Sequence, residues 1–327
     1  MTQANSPLFP CAAGQGKVAD MSIPVFTHAA MTRHSNGEHH PERPERLGAV
    51  LDALASAGLG RDQREARMID RAHLLRVHPE RFIDGIFASE PAIGLTRLDP
   101  DTAMSPGSVE AALRAAGAVT DAALAVARGD MDRAFCAVRP PGHHAEPETA
   151  MGFCLFSNAA VAARAVTALT GLKRVAVIDF DVHHGNGTQA CFENSSNLFL
   201  GSIHQSPLYP GSGEESETGL GNIYNATVPP MAAREVWRKR FADRLMPALD
   251  DFAPDLILIS AGFDAHARDP LAQQALEAED FAWATRAVLS VARKHCKGRV
   301  VSTLEGGYDL EGLGRSAVAH VEALSEG

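Results

Sequence analysis

Asp179, Asp181 and His183 alternate along RVAVIDFDVHH (174–184), where an apolar run turns polar. Residues two apart in an extended chain point to one side. The spacing therefore predicts two carboxylates and an imidazole on one face, with Phe180 and Val182 on the other. Carboxylates facing one way repel each other and lose hydration unless a cation or hydrogen-bond donors compensate. Asp-x-His is also an oxygen–nitrogen fragment of the kind zinc takes. A second apolar run, LILISAGFD (256–264), ends in Asp264, just past a glycine that permits a tight turn. Asp264 could complete a three-ligand set with Asp181 and His183 and leave a position open for water. Taken alone, it reads first as a helix cap or turn residue. RPPGHHA (139–145) brings His143 and His144, imidazoles that titrate near working pH and are candidate general bases. Adjacent histidines on a strand or helix point apart, but in a Pro-Gly loop both can face a cleft. A further apolar run leads into EGGYDL, where Gly306 and Gly307 allow close backbone approach and a mobile turn. Tyr308 follows, a phenol able to donate to an oxyanion developing beside a metal.

Such residues need elements to hold them. Short β-rich runs lie at Ile23–His28, Ala134–Arg139, Arg174–His183, Leu198–His204, Asp255–Asp264 and Arg299–Leu304. Alanine-rich stretches with helical periodicity lie between, at Ser108–Arg128, Asn158–Thr170, Ala232–Asp250 and Ala278–Lys294. Strands alternating with helices predict an α/β fold with a parallel sheet covered on both faces. Continuously apolar strand cores such as Val175–Ile178 and Leu256–Ile259 fit burial on both sides. Ligands bind beyond the carboxyl ends of such strands, and there the polar residues fall.

No repeat or long linker divides the chain, so a single domain is predicted over 21–327, preceded by a flexible arm at 1–20. Of the 327 residues, 45% are hydrophobic and 21% charged, which is enough apolar material for a large core. The formal net charge of -10 argues against a broad nucleic-acid surface. The five cysteines are widely spaced without CxxC, which disfavours a disulfide framework or cysteine–zinc cluster and fits a reducing, cytoplasmic setting. No apolar stretch approaches bilayer-spanning length, so no membrane association is expected.

Together these segments resemble the histone deacetylase and acetylpolyamine amidohydrolase family. The matching motifs are HPERPERL (40–47), LDPDT (98–102), RPPGHHA (139–145), MGFCLFSNAA (151–160), IDFDVHHGNGTQ (178–189), GSIHQSPLYPGSG (201–213), SAGFDAH (260–266) and LEGGYDL (304–310). They run in the family's order across nearly the whole chain. HPERPERL and HHGNGTQ look most like the class II branch and its bacterial relatives. The resemblance implies the single-domain arginase–deacetylase fold, with about eight parallel strands flanked by helices.

The resemblance also implies roles. Asp181, His183 and Asp264 match the ligands of one zinc ion. His144 matches the general base and acid, with Asn186 behind it; class I relatives have Asp there, so a lower His144 pKa is expected. His143 matches the neighbour that holds the attacking water, with Asp179 behind it. Tyr308 matches the oxyanion donor. Phe153 and Tyr209 match the aromatic walls of the acyl-lysine tunnel, Gly152 supplies a carbonyl to the substrate amide, and Asp101 resembles the rim carboxylate. Arg46 resembles the arginine of the channel through which acetate leaves. Asp179, Ser202 and Ile203 match ligands of a potassium site, and Phe192, Ser195 and Leu198 those of a second monovalent cation. The implied reaction is metal-assisted hydrolysis of acetyl-lysine in peptides or proteins, or of acetylated polyamines; a homo-oligomer is left open. The absence of a long insertion between Leu95 and Ser108 favours peptide-like or promiscuous substrates. A non-catalytic acyl-lysine binder should have lost Tyr308 or a zinc ligand, and a two-manganese ureohydrolase should lack the tyrosine and the paired histidines.

Overall fold

Strands buried on both faces need cover on both sides, and alternating strands with helices supplies it. The computed structural model of the protein describes residues 23–326. The arm expected at 1–20 lies outside them. The strands are β1 Val25–Thr27, β2 Gln63–Glu65, β3 Thr96–Arg97, β4 Ala103–Met104, β5 Arg133–Cys136, β6 Val175–Asp179, β7 Leu198–Gln205, β8 Ile223–Val228, β9 Leu256–Ala261 and β10 Val300–Leu304. Eight form one sheet in the order β2-β1-β5-β10-β9-β6-β7-β8, and each of its pairings is parallel. β3 and β4 form a separate antiparallel hairpin. The polar segments RPPGHH, EGGY, AGFD and DVHH follow β5, β10, β9 and β6 respectively. These are the four central strands of the sheet, so chain topology gathers them over one carboxyl edge.

The run expected as a strand through His183 stops at Asp179. The reason lies in the aspartates. Asp179 Oδ1 accepts the Asp181 N–H at 3.1 Å, and Asp181 Oδ1 accepts the His183 N–H at 2.9 Å. Side chains that capture the backbone two residues on replace the sheet ladder with turns. The two faces are kept apart all the same. Phe180 and Val182 are buried in the core, while Asp181 and His183 meet Asp264.

Helices Ser108–Arg128, Asn158–Leu169 and Ala278–His295 lie where the periodicity puts them. The stretch expected at Ala232–Asp250 runs from Arg234 to Phe252 and contains a π turn at Phe241–Leu245. Pro247 stands just beyond that turn; lacking an N–H, it cannot continue the α-helical ladder, and the wider turn absorbs the loss. Under the carboxyl edge, Phe180, Phe263 and Phe281 pack with centroid separations of 6.1, 5.9 and 5.2 Å. This layer supports the segments carrying Asp181 and Asp264 from below. Phe281→Ala should cost about 3–5 kcal/mol by denaturant unfolding. A loss under about 1 kcal/mol would show that the layer collapses around the missing ring without penalty.

Candidate active site

Asp181, His183 and Asp264 come together after β6 and β9, with one ligand atom from each lying within 4.8 Å of the others. His183 Nδ1 is 3.0 Å from Asp181 Oδ1 and 3.1 Å from Asp264 Oδ2. The remaining carboxylate oxygens accept backbone N–H groups: Gly306 donates to Asp181 Oδ2 and Val182 to Asp264 Oδ1, both at 2.8 Å. Gly262 is needed for space and not for a tight turn, since its φ is not in the left-handed region and a Cβ there would run into the Asp181 carboxylate. A Cβ on Gly306 would strike both carboxylates. Burial lifts the Asp264 carboxyl to about 7, and Asp181 adds to the rise. Burial alone would lower His183, yet Asp181 and Asp264 lift it to about 10. Two oxygens and a nitrogen concentrated at one buried point, with positive charge favoured there, fit one metal ion with a position left open.

The two histidines are equally buried but face different partners. His143 Nδ1 donates to Asp179 Oδ2 at 3.0 Å, and its Nε2 is 3.7 Å from Asp181. Burial opposes a charge on His143, but Asp181 and Asp179 outweigh it and hold its pKa well above the ordinary value. His144 is pushed the other way, by burial first and then by His143 and His183. Its Nδ1 lies 2.7 Å from Asn186 Oδ1, and Asn186 Nδ2 donates to Glu146 Oε1 at 2.8 Å. That second bond orients the amide, so Nδ1 of His144 must donate and Nε2 keeps its lone pair. Adjacent imidazoles with oppositely displaced pKa values are able to divide acid and base work between them.

His144 and His183 form part of the floor of a cavity of about 220 Å³, lined also by Tyr308, Gly152, Phe153, Leu208, Tyr209, Leu271 and Asp101. Gly152 and Phe153 both have left-handed backbone, at φ 56 and 69°. A Cβ on Gly152 would strike the His144 ring. Phe153 N donates to Thr102 Oγ1 at 2.9 Å, and Thr102 in turn donates to Asp101 Oδ1 at 2.9 Å, so the Asp101 rim and the aromatic wall are fixed together. Tyr209 stands edge-on to His144 at 5.2 Å and is 37% exposed, placing it at the mouth. Tyr308 is buried, with Phe153 at 5.9 Å and the Arg46 guanidinium 4.9 Å from its ring centre.

The glycine turn before Tyr308 gives the close approach expected of it, but it is held and not loose. Arg46 Nε donates to Gly307 O at 2.6 Å and Nη2 to Glu305 O at 2.5 Å. Phe263 N donates to Gly306 O at 3.0 Å, and Tyr308 N to Asp269 Oδ2 at 2.7 Å.

Several contributors were not singled out in the sequence. Glu305, wholly buried and raised by burial to about 7, accepts the Gly142 and His143 N–H groups and Ser260 Oγ. It carried the same signal as Asp264, an acid where an apolar run ends. Glu42 lies between Arg139 and Arg46 and ties HPERPERL to the histidine loop. Leu208 and Leu271 carried no signal beyond being apolar in loops. Arg46, Asn186 and Asp179 lie behind the cavity and not in it. Ser202 is the ladder partner of Asp179 and shares a 3.0 Å hydrogen bond with His204, and Ile203 is buried beside it in β7. The carbonyls of Phe192, Ser195 and Leu198 converge on the side chain of Asn222.

A family model described as the histone deacetylase domain matches residues 40–324. The chain is 39% identical over 310 residues to the histone deacetylase-like amidohydrolase of Pseudomonas aeruginosa, covering 93% of this chain and 81% of that protein. A probable deacetylase of Archaeoglobus fulgidus is 38% identical over 296 residues, 88% of this chain and 82% of that one. The crystal structure of the HDA15 HD domain matches with a TM-score of 0.87 at 35% identity, over 93% of this chain and 91% of that one. A shared fold, an extended sequence match and a buried Asp-His-Asp metal site lead to one conclusion: the chain belongs to the histone deacetylase family and is a hydrolase of its deacetylase and amidohydrolase kind.

Proposed function

We propose that the protein uses one zinc ion, held by Asp181, His183 and Asp264, to hydrolyse the acyl amide of N-acetyl-lysine in peptides or proteins, releasing acetate and the free amine. The observation that carries this reading is the cavity of about 220 Å³ whose lining brings His144, His183 and Tyr308 together with the rings of Phe153 and Tyr209. Aromatic walls suit a four-carbon stem, and the acyl carbonyl then arrives at the metal ligands. Zinc would supply Lewis acidity at that carbonyl and ease deprotonation of the attacking water. His144 Nε2 takes the water proton and later gives it to the leaving amine. His143, charged by its carboxylate neighbours, holds the water by hydrogen bonding. The Tyr308 hydroxyl donates to the oxygen as negative charge develops. Gly152 offers its carbonyl to the substrate N–H, and Asp101 takes backbone N–H groups at the rim. Arg46 lies on the inner side of Tyr308, where it favours an acetate anion. Asp179, Ser202 and Ile203 would hold a potassium ion. The described cysteines are all free, in keeping with a cytoplasmic setting. No helix among the described residues is long and apolar enough to cross a membrane.

Acetylpolyamine hydrolysis is the second reading. It is favoured by the acidic rim, where burial and then Asp99 raise the Asp101 pKa. The tight β3–β4 hairpin in this rim favours peptides. Metal analysis with kinetics on an acetyl-lysine peptide and acetylspermidine tests the choice. One zinc per chain and a higher kcat/KM for the peptide are expected; two manganese ions, or a polyamine preference, would overturn the reading.

Two further outcomes follow from the site. In Asn186→Asp, a carboxylate would stabilise the His144 imidazolium that an amide supports weakly, so the His144 pKa rises. Activity requires the neutral ring, so the acidic limb of the kcat/KM profile should move to higher pH by about one unit or more. An unmoved limb means that another group titrates there. Tyr308→Phe keeps the ring and removes one oxyanion donor, which should lower kcat by about 100- to 1000-fold and leave KM nearly unchanged. A kcat within a few-fold of wild type in zinc-loaded protein would assign the oxyanion to the metal alone.

A further inference from the structure

Asn222 stands immediately before β8, and its side chain is shut off from solvent. Its Oδ1 accepts the Leu220 N–H at 2.9 Å, and this bond fixes which way the amide faces. Nδ2 therefore points to the opposite side, where three backbone carbonyls meet it: Leu198 at 2.7 Å, Phe192 at 2.9 Å and Ser195 at 3.1 Å. All three distances are those of N–H···O bonds. An amide nitrogen has only two hydrogens, so three acceptors share two donors. Oxygens grouped this way surround a point as they would surround an ion. They belong to the residues that the sequence resemblance assigned to a second monovalent cation.

A second observation bears on the same loop. Arg164, in helix Asn158–Leu169, donates from Nη2 to Cys191 O at 2.7 Å and to Ser195 Oγ at 2.8 Å. Ser195 thus faces an amide through its carbonyl and a guanidinium through its hydroxyl. A fixed positive charge already serves this loop, and it would repel a further cation placed beside Ser195.

We infer that Asn222, backed by Arg164, takes the place of the second monovalent cation, so that the 192–198 loop closes without an ion. The amide nitrogen and an ion compete for one point, since Nδ2 is within hydrogen-bonding distance of all three carbonyl oxygens of Phe192, Ser195 and Leu198. The amide neutralises the three carbonyl dipoles with two hydrogens and brings its own covalent tether. Asp179, at the end of β6, and Ser202 and Ile203, further along β7 from Leu198, include a carboxylate and are not affected by this substitution.

The test counts ions and not turnover, so it stands apart from the deacetylase reading. Thallium(I), a monovalent ion close in size to potassium and countable by mass spectrometry, is equilibrated with the full chain in choline chloride. Wild type should bind no more than one ion per chain. Asn222→Ala removes the amide and leaves the oxygens, and it should bind one ion more than wild type. Asn222→Asp keeps the shape but turns the donor into an acceptor; its Tm should rise with added potassium more steeply than that of wild type. A variant that folds only with potassium present also supports the inference. Two ions on wild type, an equal count on wild type and Asn222→Ala, or an Asn222→Asp protein with wild-type Tm and no potassium response would each overturn it.

Discussion

Charge is buried at the carboxyl edge of the sheet, and the surrounding structure is organised to hold it. Asp179, Asp181, Asp264 and Glu305 are all inaccessible to solvent. A buried carboxylate without partners would protonate or unfold its surroundings. Each of these has partners. Asp179 and Asp181 face His143 and His183, Asp264 takes a backbone N–H, and Glu305 takes two. These partners come from the loops after β5 and β6, and the Gly306 N–H, from the loop after β10, also serves Asp181. The fold's parallel order therefore does more than bury apolar surface: it delivers donors from remote parts of the chain to acids that would otherwise be intolerable. The same arrangement leaves one place where the donors fall short of the acceptors, and there a metal ion fits.

A second layer of charge stands behind the first. Glu42 is paired with both Arg139 and Arg46, and burial of the acid is outweighed by those guanidiniums, which hold its pKa down at about 2. Arg139 belongs to the loop that carries the histidines, and Arg46 reaches the loop that carries Tyr308. One carboxylate thus ties the loop of His144 to the loop of Tyr308 without touching either residue. Removing one member of such a group leaves a buried charge unpaired, which is far costlier than the pair is stabilising.

Much of this was legible in the sequence, for a physical reason. Residues that must lie at strand ends announce themselves by interrupting apolar runs, so Asp181, His183, Asp264 and Tyr308 stood out before any contact was known. Their meeting did not, because spacing along the chain says nothing about strand order; the family resemblance supplied that. β2 was invisible, as its three residues Gln63–Glu65 are exposed and carry no apolar signature. β8 carried a mixed pattern at the opposite edge. The end of β6 was misplaced because alternation persists through the aspartate turns even though the ladder stops. Leu208 and Leu271 could not be found by chemistry, since their contribution is shape. Asn222 was missed because an asparagine before a strand looks like any turn residue until its acceptors are seen.

The held backbone around Gly306 and Gly307 bears on how quickly the site can respond. Glu305 O, Gly306 N, Gly306 O, Gly307 O and Tyr308 N are each engaged by a partner from another segment. Moving that backbone would break several bonds at once, whereas turning the Tyr308 side chain breaks none of them. Lid opening takes microseconds or longer, and a side-chain turn that leaves the main chain in place does not wait on it. The phenol can therefore turn without waiting for the main chain. The place from which the phenol turns is thus fixed when the chain folds.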